Sequence, residues 1–158
     1  MNEILKIGNP QLRKMATAVD DITHPQVQKL IDDLLSIVIP VNGVGIAAPQ
    51  INHSQRVIVV ASHPNIRYPY APQMEATPMI NPRILHHSDD FVDGEEGCLS
   101  VPQQRGNVLR WRALEVEFFD RQGARQQREY DGFIARIVQH EIDHLNGILF
   151  VDQMNYEL

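Results

Sequence analysis

Cysteine is almost missing from this chain, because only Cys98 occurs among its 158 residues. An intramolecular disulfide is therefore excluded. Runs of lysine or arginine are missing as well, and the net charge is -6. A nucleic-acid-binding protein normally carries a basic stripe. We find no direct nucleic-acid motif and do not expect that class of protein.

Long hydrophobic runs are a third absence. No segment approaches the roughly 20 apolar residues that a membrane-spanning helix needs, so no membrane partner is expected. Residues 1–6 lack the basic and then apolar layout of a signal peptide. We therefore expect a cytoplasmic protein. The residues that are present, 43% hydrophobic and 22% charged, are enough for one compact domain with a real core.

Apolar periodicity predicts an N-terminal helix over residues 25–39, which Pro40 ends. Alternating or β-branched segments predict strands at residues 56–61, 79–85, 113–119 and 127–130. Residues 62–78 carry four prolines and are predicted to be a surface excursion. With a final helix after these strands, we predict an α+β fold in which antiparallel β-sheets pack around a central metal-binding helix.

The final helix contains the most informative stretch, HEIDH at residues 140–144. His140 and His144 are four residues apart, so their side chains project from one helix face and can bind the same cation. Glu141 lies beside that position and could take a proton from water there. The pattern predicts a metal site with its own proton-transfer group. Two satisfied core histidines with an exposed glutamate are the alternative.

A helical projection of residues 133–146 tests that alternative. The apolar arc contains Phe133, Ile134, Ile137, Val138, Ile142 and Leu145. The opposite side contains Arg136, Gln139, Asp143 and Asn146. His140, Glu141 and His144 lie inside the apolar arc, where ionisable groups are costly unless a partner such as a cation compensates. The projection favours the metal site.

A catalytic metal of this kind usually takes three protein ligands and a water, so a third ligand is needed. Downstream, Phe150 stands where a metzincin has its third histidine, and the remaining acidic residues are Asp152 and Glu157. Cys98 is the stronger candidate, because a thiolate binds such metals well. The preceding Gly97 permits close backbone approach. A buried core thiol is the alternative for Cys98.

A second unusual stretch is GVGIAAPQ at residues 43–50. It lacks the ending of a P-loop and the spacing of a dinucleotide fingerprint. Its small residues allow close backbone approach, and Gln50 offers an amide that can donate to a developing oxyanion. Taken alone, the stretch also fits a tight glycine turn followed by a surface glutamine.

Together the three segments resemble the peptide deformylases of the bacterial type. Residues 43–50 match the family's first motif, residues 97–100 the second and residues 139–144 the third, in the right order. Ile46 stands where leucine is commoner, which is a conservative change. The resemblance covers nearly the whole chain and implies that residues 1–158 form a single deformylase catalytic domain.

The resemblance implies removal of the N-formyl group from the formyl-methionine of newly made polypeptides, with release of formate. It implies one divalent metal ion, Fe²⁺, whereas spacing alone also fits Zn²⁺, Ni²⁺ or Co²⁺. The implied metal ligands are Cys98, His140 and His144. Glu141 would handle protons, and Gln50 with the backbone N–H of Leu99 would bind the formyl oxygen.

The nascent formyl-methionyl peptide is implied to lie as an added strand against Val44 and Gly97. The residues implied to contact substrate are Val44, Gly45, Gly97, Arg105, Phe133 and Ile137. The methionine side chain would enter a pocket near His140. For Arg105, an ordinary solvated arginine is the alternative. A transient contact with the ribosome is implied as well.

Two other functions stay open from the sequence. A metalloprotease would share the HEIDH helix but leaves Cys98 and Gln50 unexplained. A non-catalytic deformylase-like binding module would keep the fold and lose the chemistry, although every expected ligand, base and oxyanion donor is present.

Overall fold

Antiparallel sheets and a C-terminal helix form an α+β fold in the computed structural model, which describes residues 3–154. The helices are α1 (Pro25–Val38) and α2 (Gly132–Leu145). The strands are β1 (Gly45–Ala47), β2 (Val57–Val60), β3 (Thr77–His87), β4 (Phe91–Cys98), β5 (Val101–Trp111), β6 (Ala113–Phe119) and β7 (Arg125–Asp131). Short 3₁₀ segments lie at Pro10–Arg13, Ala48–Ile51 and Phe150–Asp152. Within the described range, no helix is long and apolar enough to cross a membrane.

Five strands form one sheet in the order β1-β2-β3-β6-β7, and β4 pairs only with β5 in a separate hairpin. All these pairs are antiparallel. The larger sheet is covered on both faces at β2, because Ile58 and Val60 pack with α2 while Val57 and Val59 pack with α1. This explains why the β2 sequence is continuously apolar rather than alternating.

The helix predicted over residues 25–39 is confirmed as α1. Pro25 occupies its first turn, and the Nδ1 atom of His24 accepts a hydrogen bond from the Gln26 N–H at 3.1 Å. Proline suits this position because its missing N–H would have no partner in the helix. The four predicted strands are confirmed within β2, β3, β6 and β7, with shifts of two residues or fewer at their ends.

The final helix is also confirmed, one residue displaced from the predicted 133–146. It ends before Gly147, which has φ 74°, a left-handed conformation that favours glycine. A Cβ atom at Gly147 would lie 2.5 Å from the carbonyl oxygen of Arg13. Glycine is therefore required both by the turn and by the close approach of the N-terminal segment.

The β4–β5 hairpin is the main element that the sequence analysis did not predict. It covers the side of α2 that carries Arg136 and Gln139, and both side chains are buried. Gln139 extends the edge of the hairpin, since its amide accepts from the Trp111 N–H at 3.0 Å and donates to the Trp111 carbonyl at 2.9 Å. The polar side of α2 is thus an internal contact surface.

The prediction that residues 62–78 form a surface excursion is wrong in part. Strand β3 begins already at Thr77, and Ser62, Tyr68 and Ala71 are buried. The segment folds back on itself because Ser62 Oγ donates to the Pro72 carbonyl at 2.7 Å. This return brings Tyr68 towards the strand end that carries Cys98.

Candidate metal centre

Cys98, His140 and His144 lie close together. Their ligand atoms are all within 4.8 Å of one another, and the Sγ atom of Cys98 is 3.4 Å from Nε2 of His144. Two such atoms bound to one tetrahedral ion would be about 3.5 Å apart, given metal–sulfur and metal–nitrogen bonds of about 2.3 and 2.0 Å. The donor set therefore fits a metal ion that accepts thiolate and imidazole ligands.

Two elements bring these ligands together. His140 and His144 lie on successive turns of α2, with ring centroids 5.2 Å apart. Cys98 is the last residue of β4, where Leu99 and Ser100 turn the chain into β5. The Ser100 N–H donates to the cysteine sulfur at 3.4 Å, which holds the sulfur at the turn.

Glu96 orients the ring of His140. The Nδ1 atom of His140 is 2.8 Å from Oε1 of Glu96, which leaves Nε2 for a metal. Arg110 donates to both oxygens of Glu96, at 2.8 and 2.9 Å, and Arg136 donates at 2.6 Å. Burial raises the pKa of Glu96, but hydrogen bonds from Arg110 and His140 outweigh burial and hold the pKa well below its usual value. Glu96 is therefore an ionised and rigid support for the imidazole.

The two histidines have opposite pKa shifts. Burial lowers the pKa of His144 well below its usual value, so its imidazole is neutral, as metal binding requires. Burial also lowers the pKa of His140, but hydrogen bonds to Cys98 and Glu96 outweigh that effect and raise the pKa well above its usual value. A cation between Cys98 and His140 would replace this proton.

Glu141 is buried beside the ligands, with 4% of its surface exposed. Its Oε1 atom and the Nδ1 atom of His144 have no hydrogen-bond partner among the described residues. Unpaired buried polar atoms are costly, so the position of the Glu141 oxygen beside the cavity favours a site that binds a polar group. Burial raises the pKa of Glu141 to about 7, which suits a group that takes up and releases a proton near neutral pH.

Gln50 is buried rather than at the surface. Its Oε1 atom accepts a hydrogen bond from the Ala47 N–H at 2.9 Å, which fixes the amide orientation because a backbone N–H can only donate. Its Nε2 atom therefore faces the site, donating to Ser100 Oγ at 3.0 Å and lying 3.6 Å from the Cys98 sulfur. The structure brings the Gln50 amide and the turn containing Leu99 next to the Cys98 sulfur.

The N-terminal segment ties these two parts of the site together. The Leu5 N–H donates to the Gln50 carbonyl at 2.7 Å, and the Ile7 N–H donates to the Ser100 carbonyl at 2.9 Å. These contacts were not predicted from sequence. Through these hydrogen bonds, residues 5–7 hold Gln50 and Ser100 close together, although the two are 50 positions apart in the sequence.

A cavity of about 30 Å³ lies beside His140 and Glu141. Its walls include four of the predicted substrate residues, Val44, Gly97, Phe133 and Ile137. Its other walls are Tyr68, Glu96 and Arg136. Sequence analysis missed these three. A metal-binding histidine normally has a carboxylate behind it, so the acidic pair before Gly97 was a usable signal for Glu96, whereas Tyr68 lies in a segment without periodicity.

The predicted residues Gly45 and Arg105 lie next to this cavity. A Cβ atom at Gly45 would be 2.6 Å from Oε2 of Glu141, so glycine leaves room for that carboxylate. A Cβ atom at Gly97 would be 2.6 Å from Nη1 of Arg105. Arg105 also donates to Glu95 at 2.6 Å, so it is a paired side chain over the Gly97 backbone.

Asp152, the downstream acidic candidate among the described residues, is not part of the Cys98, His140 and His144 group. Asp152 pairs with Arg13 at 2.5 Å and accepts a hydrogen bond from the Leu149 N–H at 2.9 Å. The ring of Phe150 packs 6.1 Å from the ring of His140. Glu157 lies outside the described residues.

Comparison with known proteins gives one consistent result. The sequence model of the family described as Polypeptide deformylase matches residues 1–157. The chain is 53% identical to "Peptide deformylase 2" of Nostoc sp., over 98% of this chain and 87% of that protein. It is 43% identical to "Peptide deformylase 1" of Bordetella pertussis, over 95% and 85% of the two chains.

Solved structures agree with the sequence relatives. A class I type b peptide deformylase from Acinetobacter baumannii with bound Met-Ala-Ser has a TM-score of 0.94 and 46% identity, covering 98% of each chain. Peptide deformylase from Thermotoga maritima has a TM-score of 0.87 and 33% identity, covering 99% of each chain.

Proposed function

The chain belongs to the polypeptide deformylase family, and from this premise we propose how its own residues carry out the reaction. The enzyme removes the formyl group from the N-terminal formyl-methionine of newly made polypeptides and releases formate. Residues 1–158 are one catalytic domain in this proposal. The observation that carries it is the convergence of Cys98, His140 and His144, whose ligand atoms lie within 4.8 Å of one another beside Glu141.

Cys98, His140 and His144 are the proposed metal ligands, and Fe²⁺ is the proposed metal. The donor chemistry also accepts Zn²⁺, Ni²⁺ or Co²⁺, so the choice of iron rests on likeness to the family. A divalent ion bound there supplies a Lewis acid and lowers the pKa of a water.

Glu141 is the proposed proton carrier. It takes a proton from the water that attacks the formyl carbon and returns it to the leaving amine as the carbon–nitrogen bond breaks. Formate and a free peptide amino group are the products. A pKa of about 7 supports both directions of transfer.

Gln50 and Leu99 are the proposed donors to the formyl oxygen. The amide of Gln50 is held with its N–H groups towards the site by Ala47. Donors that are already oriented stabilise the oxyanion of the transition state without paying for reorganisation.

The substrate backbone is proposed to lie between Val44 and Gly97, with Gly45 and Arg105 beside it. Its methionine side chain enters the cavity lined by Phe133 and Ile137. The position of this cavity next to His140 and Glu141 supports this placement of the methionine side chain.

The fold, the cellular location and the ribosome contact of the whole protein are the remaining parts of the proposal. We propose that α2 is the central element of the fold, which is supported by its packing on β1 and β2 of the large sheet and on β5 of the hairpin. A cytoplasmic location and a transient contact with the ribosome are also proposed, because the substrate is a nascent chain.

An anaerobic assay of iron-loaded protein tests the proposed reaction. Formyl-Met-Ala-Ser, acetyl-Met-Ala-Ser and unblocked Met-Ala-Ser are compared, and bound metal is quantified. We expect formate from the first peptide and no cleavage of the other two. Internal peptide cleavage would point to a protease, and no turnover despite bound metal would point to a binding module; either result contradicts the proposal.

A further inference from the structure

Tyr68 closes the cavity beside His140 and Glu141, although it comes from neither a strand nor a helix. It is only 6% exposed. Its ring centroid is 4.8 Å from that of Phe133, which lines the same cavity. The other walls come from α2, from β4 or from Val44 just before β1. Tyr68 is thus the one wall of this cavity that belongs to a long loop, residues 61–76.

The loop holds Tyr68 in a defined position. The side-chain oxygen of Asn65 accepts hydrogen bonds from the N–H groups of Arg67 and Tyr68, both at 3.0 Å. The Met74 N–H donates to the Ser62 carbonyl at 3.0 Å and closes the base of the loop. The loop therefore presents the ring to the cavity in a folded conformation.

The hydroxyl group of Tyr68 engages the backbone at which substrate is expected. The Gly97 N–H donates to Tyr68 Oη at 3.1 Å. The guanidinium carbon of Arg105 lies 5.0 Å from the centroid of the Tyr68 ring, over its face. A substrate strand that uses the Gly97 N–H has to displace the phenol from this hydrogen bond.

The size of the cavity shows why displacement matters. About 30 Å³ is room for roughly two water molecules, which is less than the four heavy atoms of a methionine side chain need. Most of the other walls lie on α2 or β4 and are fixed by secondary structure, whereas the Tyr68 side chain lies on a long loop and can move without disturbing a helix or a strand.

We propose that Tyr68 is a specificity-determining residue: it moves aside when the substrate enters and then forms the outer wall of the side-chain pocket. In that position it admits a slim, unbranched side chain and excludes an aromatic one. The inference rests on the proposed function, because it takes the cavity as the pocket for the formylated residue.

The test compares formyl-Met-Ala-Ser with formyl-Phe-Ala-Ser on nickel-loaded enzyme, using the ratio of their kcat/KM values. Tyr68→Ala is expected to shift the ratio towards phenylalanine by at least about tenfold, since pocket walls discriminate by such factors. Tyr68→Phe keeps the ring and is expected to keep the ratio within about twofold. It is also expected to lower KM for the methionine substrate, because no hydroxyl competes for the Gly97 N–H.

Ile66→Ala is the matched control, because Ile66 belongs to the same loop and is fully exposed. Its ratio should equal that of the wild type. Tyr68→Leu repeats the test if Tyr68→Ala does not fold, with a smaller shift in the same direction. Binding of the products Met-Ala-Ser and Phe-Ala-Ser, measured by calorimetry, should shift in parallel.

An unchanged ratio in a folded, metal-loaded Tyr68→Ala or Tyr68→Leu protein would overturn the inference. So would a Tyr68→Phe protein with the same loss of preference as Tyr68→Ala, because the ring would then not be the wall. If the metal-loaded wild type releases no formate from either peptide, the proposed function fails, and this inference fails with it. If the wild type releases formate but the substrate ratio does not change in the Tyr68 variants, the inference is contradicted and the proposed function is not.

Discussion

At the scale of single residues, the carboxylate of Glu141 combines burial, a raised pKa and an oxygen that has no hydrogen-bond partner among residues 3–154. We predict that Glu141→Ala keeps the metal and lowers kcat by about 10²–10⁴, the usual contribution of a positioned acid–base group. Metal content and formate release, measured on the same sample, check this. Glu129→Ala, at an exposed glutamate of β7, is the control and should retain full activity.

Gln50 is the second residue for which the structure predicts a defined kinetic effect. Gln50→Ala removes the oriented amide and is predicted to lower kcat by about 10²–10³, the cost of one lost oxyanion donor. KM should change much less, because the interaction is strongest in the transition state. Gln73→Ala, at an exposed glutamine, should change neither constant. If KM rose and kcat stayed constant, Gln50 would be a ground-state binding residue instead.

Single residues were predictable where their chemistry is tied to a short spacing. His140 and His144 are brought together by the helix itself, so the i, i+4 pattern was sufficient. Cys98 could be inferred from ligand chemistry alone, since it is the only cysteine. Tyr68 could not be inferred, because its role depends on how a loop without periodicity folds back over Gly97.

At the scale of elements, the β4–β5 hairpin could not be predicted from its sequence pattern. Its sequence is rich in polar residues and contains Gly94, Gly97 and Gly106, which have low strand propensity. Phe91 and Leu109 are exposed, so alternation does not follow burial. The hairpin is defined by tertiary contacts with α2 rather than by its own propensity.

Arg136 connects α2 to both strands of the hairpin. Its guanidinium donates to the carbonyls of Val92 and Val108 at 2.7 and 2.8 Å, and to Glu96 at 2.6 Å. We predict that Arg136→Met lowers the free energy of unfolding by about 2–4 kcal/mol, because it leaves buried acceptors without donors. For a domain of this size the melting temperature should fall by about 10 °C.

Arg112→Met is the control for this prediction. Arg112 pairs with Asp90 at 2.8 Å, but both side chains are about half exposed, and such surface pairs contribute about 0–1 kcal/mol. Thermal unfolding of both variants should therefore separate a buried connection from a surface one. An unchanged melting temperature for Arg136→Met would show that the hairpin is held on α2 without it.

At the scale of the whole molecule, the proposed metal site lies between two parts that the backbone pairing of the sheets leaves separate. Cys98 belongs to the two-stranded hairpin, which is not paired with the five-stranded sheet, while His140 and His144 belong to α2. A metal ion bound to all three would connect hairpin and helix in the folded state only. Binding is therefore linked to folding, and its free energy adds to stability.

We predict that Ni²⁺ raises the melting temperature of the metal-free protein by about 10 °C. At a free metal concentration about 1,000 times Kd the added stability is about 4 kcal/mol, and each kcal/mol corresponds to about 2–4 °C for a chain of this length. Calorimetric melts with and without a chelator measure the shift. Cys98→Ala, which keeps both histidines, should lose most of it. An equal shift in wild type and Cys98→Ala would mean that the ion binds elsewhere or without the thiolate, and that the hairpin is not connected to α2 through the metal.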